Sequence, residues 1–192
     1  QLDDLLVSVS RTSRIPVTVG GGLRSLNDIS NVLRKGADKI TLNTSAHNNF
    51  KIINDACKFF GSQCVVVSIQ AKRTNQNNWE ALYLNGRERS YKHVDDWCKK
   101  VVDLGAGEIL LTSIDNDGTK IGPDKKLVEK ILHLVSVPIL VGGGVGDLED
   151  ILWLAKVGVS GVVLANILHF SKFKIDEIKS FLSKKQIAVS IR

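Results

Sequence analysis

Methionine is absent from this 192-residue sequence, even at position 1. A natural chain begins with methionine unless it is processed, so we expect the natural N-terminal residues to be missing. Cysteine is scarce, and Cys57, Cys64 and Cys98 lack the spacing of a metal site. This usage predicts reduced thiols in a cytoplasmic protein, with Cys57 and Cys64 as buried core residues.

Long apolar runs are missing as well. No stretch of 18 or more apolar residues occurs, so no transmembrane span is predicted. The first ten residues lack the basic start and long apolar core of a signal peptide. The composition, 43% hydrophobic and 24% charged, is that of a soluble globular protein. Because no linker or composition shift divides the chain, we expect a single domain over residues 1–192.

The formal net charge is +6, yet the basic residues form no stripe interleaved with aromatics. Nucleic-acid binding is one interpretation of this charge. An enzyme that acts on an anionic metabolite fits equally well, because a positive field concentrates phosphorylated substrates. A solvated basic surface without function is the third interpretation, and charge alone does not decide among them.

The main positive feature is a pattern that occurs twice. Residues 16–22 read PVTVGGG and residues 138–144 read PILVGGG, an offset of 122 that also relates Gly36 to Gly158 and Leu42 to Leu164. Each copy contains a β-rich run, a glycine loop, an amphipathic helix, a turn and a second strand, which is a βαβ unit. Two copies predict a duplicated α/β half-barrel.

Strands and helices are predicted to alternate along the chain. Strand patterns cover 15–19, 39–42, 64–69, 108–112, 138–141 and 161–164, and helical patterns cover 1–12, 26–35, 49–60, 94–104, 126–134, 148–157 and 175–184. A hairpin is predicted around Asn85-Gly86, with a type I′ turn. Alternation indicates a parallel sheet, doubly wound or closed. The duplication favours a (β/α)8 TIM barrel of duplicated half-barrels, lacking its first two strands, because complete barrels have eight.

In such barrels the functional groups lie where the strands end. Glycine loops at these ends allow close backbone approach and aim N–H groups at a ligand, as phosphate sites require. Because the loop occurs in both halves, we expect two phosphate sites at one barrel mouth, and therefore a ligand with a phosphate at each end. A tight turn without a ligand is the alternative for either loop.

A loop over residues 113–119 carries two carboxylates after a strand. A calcium loop starting at Asp115 would need a glutamate where Lys126 stands. We therefore expect a catalytic or ligand-orienting use of Asp115 or Asp117, with a capped polar turn as the alternative. None of the four histidines has a cysteine or another histidine at ligand spacing, so we predict no metal and no cofactor.

Several motifs together resemble one enzyme family. PVTVGGG, GADKITLNT, FGSQCVVVSI, GAGEILLTSIDNDGT and VGGGVG look like the cyclase subunit of imidazole glycerol phosphate synthase, in histidine biosynthesis. The likeness runs through nearly all of the chain. It implies a barrel that receives ammonia from a glutaminase partner and converts a bisphosphorylated ribulosyl-formimino aminoimidazole carboxamide ribotide to imidazole glycerol phosphate and aminoimidazole carboxamide ribotide.

The resemblance also implies roles for individual residues. Toward the strand N-termini, Lys39 and Glu108 match charges at the ammonia entrance, and Asp38 matches a contact to the glutaminase. Ordinary rim charges are the alternative interpretation of these three. The implied phosphate-binding residues form two groups, one of Gly22, Asn43 and Thr44, the other of Asp117, Gly118, Gly143, Gly144, Ala165 and Asn166.

The chain departs from the family at the proton-transfer groups. The family uses two aspartates as general acid and base. One falls before this sequence begins, and the other falls on Gln70, an amide that cannot exchange a proton at neutral pH. Asn166 also stands where serine is common. These departures leave two alternatives open: a paralogue that partners an amidotransferase in surface-polysaccharide sugar amidation, and a non-catalytic ammonia conduit or glutaminase activator.

Overall fold

Six parallel strands follow one another across the sheet in their sequence order. The computed structural model describes residues 2–12, 15–170 and 172–190. The strands are β1 Thr18–Gly20, β2 Lys39–Leu42, β3 Val65–Asn75, β4 Asn78–Tyr83, β5 Glu88–His93, β6 Glu108–Ser113, β7 Ile139–Gly142 and β8 Gly161–Val163. The sheet order is β1-β2-β3-β6-β7-β8, and the antiparallel pair β4 and β5 extends from β3.

Helices connect the parallel strands. They are α1 Leu2–Thr12, α2 Leu26–Arg34, α3 Thr44–Asn48, α4 Lys51–Phe60, α5 Val94–Asp103, α6 Lys125–Leu132, α7 Leu148–Val157, α8 Asn166–His169 and α9 Ile175–Lys184. A parallel sheet in sequence order with a helix after each strand is the arrangement of (β/α) barrels. The predicted α/β barrel class is therefore confirmed. No helix among the described residues is long and apolar enough to cross a bilayer.

Alternation along the strands separates a helix-facing side from an interior side. Ile40 and Leu42 of β2 and Ile109 and Leu111 of β6 are fully buried beneath the helices. The neighbours of the β2 pair, Lys39, Thr41 and Asn43, are polar and partly exposed, whereas the neighbours of the β6 pair include the apolar Leu110. Because successive side chains point to opposite faces of a strand, the concave interior of the sheet carries both polar and apolar side chains. The candidate functional residues are expected on this face and at its rim.

The two halves repeat down to their helix caps. Ser25 caps α2 in a capping box with Asp28, and Asp147 caps α7 in a capping box with Asp150, each pair 122 residues apart. Such caps satisfy N–H groups of the first helical turn and fix where each helix begins. The short helices α3 and α8 also fall at equivalent positions. The structure thus confirms the duplication predicted from the glycine motifs.

Four sequence predictions were wrong in detail. The first strand begins at Thr18, not at residue 15, and Ile15 is exposed. The helix predicted over 49–60 begins only at Lys51, because the backbone of Asn49 is extended. The hairpin turn is not a two-residue type I′ turn, because Leu84, Asn85 and Gly86 all have positive φ and the last strand pair is Tyr83 with Glu88. Cys57 and Cys64 are only partly buried.

Candidate functional site

Two cavities open at the carboxyl ends of the parallel strands. The first cavity, of about 400 Å³, is lined by residues that include Gly22, Asn43, Thr44 and Gln70. The second cavity, of about 750 Å³, is lined by residues that include Asp117, Gly118, Gly143, Gly144, Ala165 and Asn166. The structure therefore brings the predicted phosphate-binding residues together in the two groups expected. Their binding of phosphate stays a prediction.

The glycine loops adopt the same backbone conformation in both cavities. Gly21 and Gly22 have φ of 95° and 75°, and Gly143 and Gly144 have φ of 88° and 85°. Only glycine adopts such angles without strain, so these loops need glycine whether or not a ligand binds. The repeated geometry gives both cavities a backbone wall that lacks side chains.

The surroundings of the loops differ. A Cβ built on Gly22 meets nothing within 4 Å, whereas one built on Gly144 would lie 2.2 Å from the carbonyl oxygen of Gly122. The N–H of Gly122 in turn donates to the carbonyl of Gly144 over 2.8 Å. The second loop is therefore packed against the segment that follows β6, while the first loop faces open space.

Side chains at the end of β2 fasten the rim of the first cavity. The Asn43 amide donates to the carbonyl of Ser68 over 3.0 Å, and the Thr44 hydroxyl accepts the N–H of Leu84 over 3.2 Å. The second bond ties the hairpin loop to the cavity. It also accounts for the turn conformation that the sequence failed to predict. Both side chains are thus already engaged within the protein.

Three buried side-chain oxygens of cavity-lining residues have no hydrogen-bond partner among the described residues. They are Thr41 Oγ1 and Gln70 Oε1 at the first cavity and Asn166 Oδ1 at the second. A buried polar atom without a hydrogen bond typically costs about 1–3 kcal/mol. Such atoms are therefore candidates for contacts to a ligand. Sequence reasoning missed Thr41, although its place between buried Ile40 and Leu42 would have assigned it to the interior face.

The two cavities differ in charge. Among the residues that line the first cavity, Arg24 is the one side chain that carries a charge. Asp117, Lys120 and His169 line the second. Lys120 has a φ of 62°, and its ammonium lies 5.3 Å from the centroid of the Phe170 ring. Within the described lining, carboxylate and imidazole side chains are thus confined to the second cavity.

The two aspartates of the 113–119 loop have different surroundings. Asp117 lines the second cavity, whereas Asp115 lines neither cavity. The Asp115 carboxylate accepts the backbone N–H of Arg73 over 2.7 Å. This bond joins the loop after β6 to the extension of β3. Asp115 therefore joins two loops through a hydrogen bond, and its predicted catalytic use stays untested.

At the opposite end of the strands, the predicted entrance residues meet. The Lys39 ammonium donates to the Glu108 carboxylate over 2.9 Å. Lys39 lies on β2 and Glu108 on β6, with β3 between them, so the ion pair spans the interior face. Asp38 accepts the N–H of Val17 over 2.7 Å. Its predicted contact to a partner protein remains a prediction.

A partly buried histidine behind the first cavity was not singled out by the sequence. The His47 ring stacks on Trp97 and Tyr83, with ring centroids 4.6 and 5.4 Å away. Burial, followed by the nearby Lys92 ammonium, lowers the pKa of His47 to about 4. The imidazole is therefore neutral at physiological pH. Its position on α3 links the residues of the first cavity to the hairpin and to α5.

A second cluster that the sequence did not reveal fastens the hairpin to α6. Asp124 caps α6 and accepts hydrogen bonds from the Arg73 guanidinium over 2.6 Å and from the Trp79 indole over 2.8 Å. The Arg73 guanidinium also lies 4.7 Å from the Trp79 ring centroid. This network fixes the end of β3 beyond the cavities. Among the described residues, no group of three or more potential metal ligands comes together.

Comparison with known proteins agrees with this geometry. The family model described as histidine biosynthesis protein matches residues 1–174. The chain is 45% identical over 191 residues to imidazole glycerol phosphate synthase subunit HisF of Prochlorococcus marinus (strain MED4), covering 98% of this chain and 75% of the relative. It is 41% identical over 188 residues to the subunit HisF of Dictyoglomus turgidum, with the same coverage. With its duplicated glycine loops and paired cavities, the chain belongs to the histidine biosynthesis protein family, among the relatives of HisF.

Proposed function

We propose that this chain is the cyclase subunit of imidazole glycerol phosphate synthase. It uses ammonia to convert the bisphosphorylated ribulosyl-formimino aminoimidazole carboxamide ribotide to imidazole glycerol phosphate and aminoimidazole carboxamide ribotide. The observation that carries this proposal is the pair of cavities built on equivalent glycine loops at one end of the strands. Two such cavities fit a substrate with a phosphate at each end. Relatives that bear this name support it.

Phosphate binding at these cavities would rest mainly on the backbone. Positive φ at successive glycines turns N–H groups toward a common point, and such nests bind anions. In the first cavity Arg24 adds a positive charge. In the second, Lys120 compensates the Asp117 carboxylate, which would otherwise repel a phosphate. The net charge of +6 favours the approach of an anionic substrate.

Ammonia delivery by a glutaminase partner belongs to the same proposal. The interior face of the sheet carries the Lys39–Glu108 pair at one end and Thr41, Ser68 and Gln70 farther along. This polar face connects the N-terminal end of the strands to the first cavity. Asp38, beside the ion pair, would contact the glutaminase. A heterodimer of this kind, formed by a single-domain chain over 1–192 in the cytoplasm, is part of the proposal.

A second function is favoured by one specific observation. Position 70 carries an amide, and no residue that lines the first cavity exchanges protons near neutral pH. A paralogue that passes ammonia to a sugar nucleotide in surface-polysaccharide amidation would have a changed substrate and would not need the family aspartate here. The amide at Asn166 in the second cavity fits the same change. A barrel without chemistry, which conducts ammonia or activates the glutaminase, is the non-enzymatic alternative.

The deciding experiment supplies the purified chain with the bisphosphorylated substrate and ammonium ions, and follows formation of imidazole glycerol phosphate. Turnover supports the cyclase function. Binding of the substrate without turnover, together with stimulation of a glutaminase, would favour the non-catalytic alternative. Absence of binding would contradict the cyclase proposal. Gln70→Asp restores a carboxylate at this position, and we expect it to raise ammonia-dependent turnover about a hundredfold, the lower end of typical acid–base contributions.

A further inference from the structure

The first cavity contains two unsatisfied oxygens on neighbouring strands. Thr41 Oγ1 on β2 and Gln70 Oε1 on β3 are both buried, and neither has a hydrogen-bond partner among the described residues. Both residues line the cavity of about 400 Å³. The Thr41 methyl group faces β1, because a Cβ built on Gly20 would lie 2.1 Å from it. Glycine at position 20 thus leaves the room that the Thr41 methyl group occupies, and the Thr41 hydroxyl stays unsatisfied.

The two oxygens favour a particular kind of ligand group. An amide oxygen accepts hydrogen bonds and does not take up a proton near neutral pH, and a hydroxyl oxygen also accepts. A phosphate offers acceptors only, so it would leave the amide oxygen unsatisfied. An amine or carboxamide N–H would satisfy it. The Gln70 amide oxygen therefore needs a ligand donor, which the Thr41 hydroxyl oxygen can also accept, whereas Arg24 and the glycine loop favour an anion.

We propose that Gln70, with Thr41, recognises an N–H group of the ligand whose phosphate binds at Gly22 and Arg24. The first cavity is then a recognition cavity for a phosphorylated amine or carboxamide. Its described lining holds no carboxylate and no imidazole, and Arg24 is its one charged side chain. The Asp117 carboxylate and the His169 imidazole line the second cavity instead. This inference rests on the proposed function, since it assumes that both cavities bind one bisphosphorylated substrate.

The stability of variants at Gln70 and Thr41 distinguishes ligand recognition from a structural role of these side chains. A side chain that supports the fold loses stabilising contacts when it is replaced. A buried oxygen without a partner instead destabilises the empty protein, and an apolar replacement of similar shape removes that penalty. Gln70→Met and Thr41→Val are such replacements. We expect both variants to melt at the same temperature as the unaltered chain or higher, and yet to bind the ligand more weakly.

The test uses two probes that share a phosphate. Aminoimidazole carboxamide ribotide carries amine and carboxamide N–H groups, whereas ribose 5-phosphate carries none. We expect the unaltered chain to bind the ribotide more tightly by calorimetry. Gln70→Met should weaken ribotide binding about tenfold, and Thr41→Val about threefold, as loss of single hydrogen bonds predicts. Neither should change binding of ribose 5-phosphate. Gln63→Met, the same change at an exposed residue that lines neither cavity, is the control.

Four results would overturn the inference. Equal binding of both probes by the unaltered chain would show that no N–H is recognised. Unchanged ribotide binding in both variants would show that these oxygens are not involved, and the cyclase proposal would still stand. Failure of the unaltered chain to bind either probe would reject both the inference and the phosphate role of the first cavity. A lower melting temperature in Gln70→Met, with binding intact, would assign Gln70 a structural role.

Discussion

Gly22 and Gly144 occupy equivalent positions in the two halves, but a side chain would have very different room at each. Both have positive φ, which costs an alanine about 1 kcal/mol or more. Only at Gly144 does the added Cβ also meet backbone, 2.2 Å from the Gly122 oxygen. We expect Gly144→Ala to lower the free energy of unfolding by about 3 kcal/mol or more and Gly22→Ala by about 1 kcal/mol. Urea unfolding of the two variants measures this, and equal losses would contradict the packing described for the second loop.

His47 gives a pH dependence whose sign follows from its environment. Its pKa in the folded protein, about 4, lies below the ordinary value of 6.5. The unfolded chain therefore binds the proton more readily, and this histidine's contribution to stability is present above pH 6.5 and is lost as the pH falls toward 4. Allowing for partial solvent access, we expect a loss of roughly 1–2 kcal/mol. His47→Phe should flatten the stability profile in this window, and an unchanged profile would contradict the buried, neutral state.

At the level of elements, two aspartates that cap helices are expected to contribute differently to stability. Asp124 caps α6 and also holds Arg73 and Trp79, whereas Asp147 caps α7 through a capping box alone. Replacing a simple cap costs about 1 kcal/mol. Removing a buried carboxylate leaves its charged partner without a counter-charge, which costs about 3–5 kcal/mol. We therefore expect Asp124→Ala to destabilise the protein several times more than Asp147→Ala in urea unfolding. Similar losses would show that the hairpin does not depend on this network.

Sequence reasoning predicted the elements that local signals define. The bounds of α7 and α9 were correct, because apolar periodicity marks both helices and Gly158 ends α7. The short helix α3 was missed, since five residues carry no periodic signal. The hairpin turn was predicted wrongly because the Thr44 hydroxyl, distant in sequence, binds the N–H of Leu84. Tertiary contacts of this kind override a dipeptide preference.

The candidate site was predictable in part. Position after strands marked Gly22, Asn43 and Thr44 as candidates, the family resemblance grouped them, and the structure places them at one cavity, as it does the second predicted group. The unsatisfied state of Gln70 Oε1 could not be predicted, because it depends on what neighbouring strands leave unpaired. Nor could the sequence show that Asp115 binds the backbone of Arg73 and lines neither cavity.

At the scale of the whole molecule, the Lys39–Glu108 pair connects partner contact to turnover within the proposed function. The Glu108 side chain is 11% exposed, so loss of its partner leaves a largely buried charge. With a glutaminase present, we expect Lys39→Met to lower glutamine-dependent turnover at least threefold, while turnover with added ammonium ions changes less. Lys99→Met, on an exposed face of α5, is the control and should leave both rates unchanged. Equal loss of both rates in Lys39→Met would place the effect on folding instead of ammonia delivery.

The equal backbone and unequal charge of the two cavities have a consequence for the orientation of the ligand. A substrate with a phosphate at each end would fit a mouth of perfect twofold likeness equally well in either direction, and half of the binding events would be unproductive. Arg24 on one side, and Asp117 with Lys120 on the other, make the two directions unequal. A difference of about 1.4 kcal/mol already favours one direction tenfold. Duplication therefore supplied two equivalent glycine loops. Later divergence of a few side chains would make a two-phosphate ligand prefer one binding orientation.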